Sequence, residues 1–166
     1  MIFAREESRM RHSTLQLHVL LLAGLGLAPG MAHLLELPAK LSYSPELYAA
    51  VNSTLYGTFG TAGGVIQLGA LLAATVLAVR SRGQRAFRLN LLGTLAMALS
   101  LLLWATIVAP VNMQWQRVIE LQLEQLPDAF ARLRNRWEAG HVLAFMAWLA
   151  GYVSLLTAAL YRRDGE

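Results

Sequence analysis

The stretch LYGTFGTAGGVIQLGALLAATVLAV, residues 55–79, decides the fold. It contains no Asp, Glu, Lys or Arg. In helical form, about 20 such residues cross the hydrocarbon core of a bilayer. Three further stretches, 19–35, 91–109 and 139–161, share the pattern, and charged segments separate all four. Hydrophobic residues are 56% of the 166, and mean hydropathy is +0.46, too apolar for a soluble domain of this length. The runs are continuous, whereas the strands of a membrane barrel alternate over about ten residues. The expected fold is therefore all-α and polytopic: one four-transmembrane-helix bundle over 1–166. Its spans are placed at about 15–36, 55–79, 89–109 and 137–161 from the span length a bilayer demands. A cleaved signal peptide would share the basic flank Arg5, Arg9 and Arg11. The first run is too long for that, and it ends in Ala32-His33-Leu34-Leu35-Glu36, a poor cleavage site.

The chain has no cysteine, which excludes disulfides, thiolate metal ligands, iron–sulfur clusters and a quinone-linked disulfide enzyme. A net charge of +4 does not point to nucleic acid here, because the basic residues flank the spans. Lys and Arg concentrate on the cytoplasmic side of membrane proteins. The loop carrying Arg80, Arg82, Arg85 and Arg88 is the clearest marker, and it is on the same side as Arg5, Arg9, Arg11, Arg162 and Arg163. The expected location is a bacterial-type inner membrane, multi-pass, with both termini cytoplasmic.

Between spans one and two, Ser44 would cap a short helix beginning at Pro45. Between spans three and four, Trp115, Val118, Ile119 and Leu126 have helical spacing, which predicts a short amphipathic helix lying at the outer interface. Pro127-Asp128 would open a helix running into span four through Phe130, Leu133 and Trp137. The pairs Gly26/Gly30 and Gly60/Gly64, with Ala147/Gly151, have the small-xxx-small spacing of helix contacts in lipid.

Polar residues gather at one end of the spans. His33 and Glu36 close span one, Asn52 and Tyr56 precede or begin span two, Asn112 follows span three, and Glu138 and His141 open span four. In a four-span topology they reach one depth. His33 with Glu36, and Glu138 with His141, are one helical turn apart, so each pair shares a face. Arg134 extends the second face outward. Two helices each offering a histidine and a carboxylate supply half the donors of a di-metal carboxylate bundle, and spans two and three add none. No metal is required. His33, Glu36, Glu138 and His141 are the candidate ligands for a single iron, zinc or copper ion. The bland alternative is that Glu36 pairs with Lys40 and Glu138 with Arg134 on a wet surface, worth little. His18, about 22 Å from His33 along a helix, belongs to the other leaflet and, like Gln16 and Gln67, would serve in interhelical or headgroup hydrogen bonds. Trp115, Trp137, Tyr43 and Tyr48 read as an interfacial aromatic belt. Trp137, His141, Phe145 and Trp148 share a helical spacing that would form an aromatic wall below the polar layer.

Three strings carry a resemblance. They are Ala32-His33-Leu34-Leu35-Glu36-Leu37-Pro38-Ala39-Lys40, Ala109-Pro110-Val111-Asn112 with Trp115, and Leu133-Arg134-Asn135-Arg136-Trp137-Glu138-Ala139-Gly140-His141. In order and spacing over nearly the whole chain, they resemble the anthrone-oxygenase-like family of small four-helix membrane proteins. Most bacterial members of that family are a domain of unknown function. The resemblance implies oxidation of a hydrophobic aromatic substrate by molecular oxygen without a conventional cofactor. It picks out His33, Glu36, Pro38, Asn112, Trp137, Glu138 and His141. Family members often carry an Arg about one turn after the last histidine; this chain has Val142-Leu143-Ala144.

Two expectations follow. In the first, the chain is a membrane-embedded oxidoreductase acting on a hydrophobic small molecule. His33 or His141 would be the general base, a role that suits a group titrating near neutral pH. Asn112 and Arg134 would stabilise an oxyanion, Glu138 would belong to the catalytic layer, and Trp137, Glu36 and Tyr56 would hold the substrate. In the second, it is a non-catalytic subunit of a larger membrane complex, and the same polar residues tie helices together. The bilayer is a partner in both; a membrane-protein partner or a homo-oligomer belongs to the second.

Overall fold

The computed structural model describes residues 2–163, all-α with no strand among them. Met1 and the last three residues of the expected 1–166 domain, and the side chains of Arg5, Arg9, Arg11, Arg162 and Arg163, lie outside the described residues. Six α-helices follow one another: α1 (Ile2–Leu25), α2 (Ala28–Lys40), α3 (Pro45–Arg80), α4 (Phe87–Leu103), α5 (Ala109–Leu121) and α6 (Leu126–Arg163). A π turn, Trp104–Val108, joins α4 to α5. These form four helices long and apolar enough to cross a membrane: His12–Lys40, Pro45–Arg80, Phe87–Leu121 and Leu126–Tyr161. The protein is a multi-pass membrane four-helix bundle. Exposed Leu17, Leu21 and Leu25 on α1, Leu68 and Leu72 on α3 and Leu92, Leu95 and Leu99 on α4 give it an apolar exterior compatible with lipid.

The helices run further than the charge-free stretches, chiefly at the end away from the termini, called distal below. Helix α3 begins at Pro45, ten residues before the stretch at 55, and α6 at Leu126. Ser44 is extended and its Oγ accepts the Leu47 N–H at 3.3 Å, so the expected cap starts α3 itself. The predicted interfacial helix is instead α5, a continuation of the third span. Its apolar face is not spread on lipid: Val111, Trp115 and Val118 are buried against Tyr48, Leu126, Ala129 and Leu133. The belt reading fails for the same reason, because Tyr48 (0% exposed) and Trp115 (5%) belong to this distal core.

A second core lies toward the termini. Val19, Ala23, Ala70, Ala74, Met97, Trp148 and Leu155 pack there. Close helix approach rests on glycine: a Cβ on Gly151 would be 2.8 Å from the Gly93 carbonyl oxygen, and one on Gly26 would be 2.7 Å from the Trp148 ring. In lipid such packing replaces the hydrophobic effect as the source of association.

Two of the four spans are interrupted where the cores meet. In the first, the Leu27 N–H bonds the Gly24 carbonyl, and Trp148 Nε1–H takes the freed Ala23 carbonyl at 2.9 Å. Gln67 Nε2–H donates to Gly26 O at 2.9 Å, the interhelical role expected for this glutamine. Backbone groups at membrane depth need such internal partners. Pro29 then sits in the first turn of α2, where its missing N–H costs nothing. In the third span, Pro110 has no N–H to offer the Thr106 carbonyl, and the Ala109 N–H bonds back to Trp104 O, closing the π turn.

Candidate functional site

The seam between the cores is an open cleft of about 530 Å³. Its back wall is α6, through Trp137, His141, Ala144, Phe145 and Trp148, so the aromatic wall expected from their spacing is present. One side is the break between α1 and α2 with His33. The other sides are α3, from Asn52 to Leu68, and the third span on both sides of its π turn. The mouth lies between α3 and α4–α5, where Gly57, Gly60, Leu68, Trp104 and Ala105 line the cleft and are exposed on the bundle's surface.

Gly60 and Gly64 had been expected to press helices together. A Cβ added at Gly57, Gly60 or Gly64 would meet nothing within 4 Å. These glycines keep one wall of the cleft bare. The identically spaced Gly26 and Gly30 do make the expected contacts, with Trp148 and Phe145.

Seven of the eight site residues named from the sequence come together at the distal end of the cleft. The His33 and His141 rings have centroids 3.9 Å apart with planes at 37°. Tyr56 stacks on His33 at 4.6 Å and 15°. Trp137 stands edge-on to His33 at 4.9 Å and lies 4.1 Å from His141. Its Nε1–H donates to Asn112 Oδ1 at 2.6 Å, which ties α5 to the histidine pair. The His141 Nδ1–H donates to the Trp137 carbonyl at 3.0 Å; a carbonyl only accepts, so this sets the tautomer and leaves Nε2 with the lone pair. Next to this aromatic layer, Lys40 is 1% exposed, its Nζ 3.4 Å from Glu36 and 3.6 Å from Glu138. The ammonium lies over the Tyr56 and Trp137 rings at 4.2 and 4.7 Å, within cation–π range. The Tyr48 hydroxyl donates to Glu138 at 2.8 Å, and the Tyr56 hydroxyl donates to Glu36.

Arg134 is the residue left out. It is half-buried, donates to the Leu41 carbonyl at 3.3 Å and lies over Phe130, so it closes the α2–α3 turn outside the cleft. Of the two surface pairs expected, Glu36 does pair with Lys40, but around a buried ammonium, and Glu138 pairs with the same Lys40 and not with Arg134. Among the described residues no group of three or more His, Asp or Glu side chains is arranged to hold a metal ion. Both carboxylates that might join the histidines are turned to Lys40 and the tyrosine hydroxyls. His18 bonds the carbonyl of Thr14 in its own helix and stands apart from the cleft.

Sequence reasoning undervalued Lys40, Tyr48, Asn52 and Trp115. Lys40 had a signal: residues 33, 36 and 40 recur on one helical face. Reading the first span as ending at 36 hid it. The cleft's polar lining is unevenly satisfied. His33 Nδ1 and Trp115 Nε1 are buried without a hydrogen-bond partner, and the Asn52 amide lies near the Tyr48 hydroxyl without reaching hydrogen-bond geometry.

No protein-family model, curated protein or solved structure matches the chain.

Proposed function

We propose that this protein is a membrane-embedded oxidoreductase that takes a flat, hydrophobic hydroxyaromatic ketone from the bilayer and oxidises it with molecular oxygen. One observation carries the reading: a histidine pair with an available acceptor nitrogen lies at the polar end of a cleft open to the lipid-facing side. The resemblance in the three sequence strings supports the same chemistry. His141 Nε2 takes a proton from an acidic methylene conjugated with the ketone through the flanking aromatic rings. His33, stacked between Tyr56 and His141, holds the base in place. The resulting enolate oxygen is met by N–H donors lining the cleft: Trp115 Nε1, and the Asn52 and Asn112 amides. Donors fixed where charge develops are worth more in a dry site than in water. The carbanion reduces oxygen. The methylene carbon keeps one oxygen atom as a new carbonyl, and its two hydrogens leave with the other oxygen as water.

A helix-tying network, as in a subunit of a larger complex, needs mutually satisfied polar atoms and no cleft. The Lys40 ion pairs tie helices together in that way, although Lys40 Nζ and Glu138 Oε2 lack hydrogen-bond partners, and the cleft beside them does not fit the role. The basic α3–α4 loop supports cytoplasmic termini and a site near the far face of a bacterial-type inner membrane.

The test is oxygen uptake by the purified protein in nanodiscs with anthrone as the probe. His141→Ala lowers turnover by about 10²–10⁴-fold, the usual contribution of a general base, with helical circular dichroism unchanged. Equal rates in wild type and variant, or no uptake above the uncatalysed background, would sink the proposal.

A further inference from the structure

The shape of the cleft and the distribution of its satisfied polar atoms say more about the ligand. We infer that the cleft takes an amphiphile: an aromatic polar headgroup at the histidine pair, with an apolar chain lying along α3 toward the termini. This rests on the functional reading above and specifies its ligand class.

Two independent observations carry it. The first is length. The α3 wall runs from Asn52 to Leu68, about 24 Å at 1.5 Å per residue, most of a hydrocarbon core of about 30 Å. A compact tricyclic ring system fills only part of such a groove. The second is polarity. Toward the termini the buried cleft-lining hydrogen-bonding side chains are engaged, Gln67 with Gly26 O, Ser100 with Ala144 O at 2.6 Å and Trp148 with Ala23 O, while Trp104 is exposed at the mouth. At the distal end, His33 Nδ1 and Trp115 Nε1 are orphaned in side chains 5% exposed. Buried polar groups without partners are costly, and a ligand headgroup at that end would satisfy them. The engaged end, bare at Gly60 and Gly64, offers only surface for hydrocarbon. The exposed mouth lets a chain longer than the groove continue into lipid.

All four tryptophans of the chain line the cleft, so intrinsic fluorescence reports its occupancy. The experiment compares quenching by methylhydroquinone and decylhydroquinone at fixed detergent concentration. Three variants are measured beside wild type. Gly60→Leu/Gly64→Leu fills the bare strip. Gly69→Leu places the same side chain in open space on α3 outside the cleft, a control for partition into micelles. His33→Gln reads the headgroup end.

Wild type and Gly69→Leu are expected to bind the decyl probe at least about tenfold more tightly than the methyl probe, as burial of several methylenes requires. In Gly60→Leu/Gly64→Leu that ratio falls to near one. No chain-dependent gain in wild type overturns the inference, whether or not the methyl probe binds. A gain that survives in Gly60→Leu/Gly64→Leu overturns it too. The site reading fails separately, if His33→Gln leaves methyl-probe affinity unchanged.

Discussion

Lys40 sets the terms at the scale of single residues. A cation at 1% exposure is tolerated because two carboxylates and two aromatic faces surround it. The carboxylates are not equal: the Glu36 side chain is 35% exposed and the Glu138 side chain 5%. Water can solvate Glu36 if Lys40 is removed, and it cannot reach Glu138. Breaking a buried pair costs about 3–5 kcal/mol, mostly through the charge left behind. Lys40→Met is therefore expected to lower unfolding free energy by about 3 kcal/mol. Adding Glu138→Gln restores most of the loss, and adding Glu36→Gln restores little. Denaturant titration of the four proteins checks this; equal rescue by the two glutamines contradicts it.

Residue identities were legible in the sequence where spacing on one helix was enough. His33 with Glu36, and Trp137 with His141, share faces by spacing alone. Burial was not legible, because it depends on which helix lies opposite. Nothing local separates buried Tyr48 from the partly exposed Tyr43, or a lysine locked between carboxylates from one in water.

At the scale of elements, glycines with the same spacing serve opposite ends. Gly151 lets α6 touch the α4 backbone, while Gly60 faces open space. Gly151→Ala is expected to destabilise the bundle by about 1–3 kcal/mol through overpacking. Gly60→Ala is expected to be neutral or to stabilise by up to about 1 kcal/mol, because alanine holds a helix better. Thermal unfolding of both variants decides; a destabilising Gly60→Ala would mean that α3 packs against a helix there. Sequence periodicity identified the helices because lipid demands long charge-free runs. It misplaced the distal ends of the first and third spans because Pro38 and Pro110 look like stops, whereas Pro127-Asp128 reads as a helix start and α6 does begin at Leu126. Pro127 falls in a first helical turn, where proline is tolerated, and Pro110 is absorbed by the π turn. Pro38 lies within α2. The helical extensions beyond the charge-free stretches build the distal core, and with it one end of the cleft.

At the scale of the whole molecule, four crossings put both termini on one side of the membrane. The absence of cysteine makes single-cysteine labelling clean. Gln84→Cys in the α3–α4 loop and Ser42→Cys in the α2–α3 turn are both at exposed positions. In intact cells an impermeant maleimide is expected to label Ser42→Cys and not Gln84→Cys; the reverse pattern inverts the proposed orientation. Trp115 and Trp137 of one core and Trp148 of the other also line the cleft, which occupies the seam where two spans are interrupted.

The most direct measurement is an experimental structure with a brominated hydroxyarene bound, read by the anomalous signal of bromine. The account places that signal between Gly60 of α3 and the wall formed by His141 and Phe145. Bromine found only on the bundle's outer faces, with the space beside His33 and His141 filled by protein side chains, would contradict it.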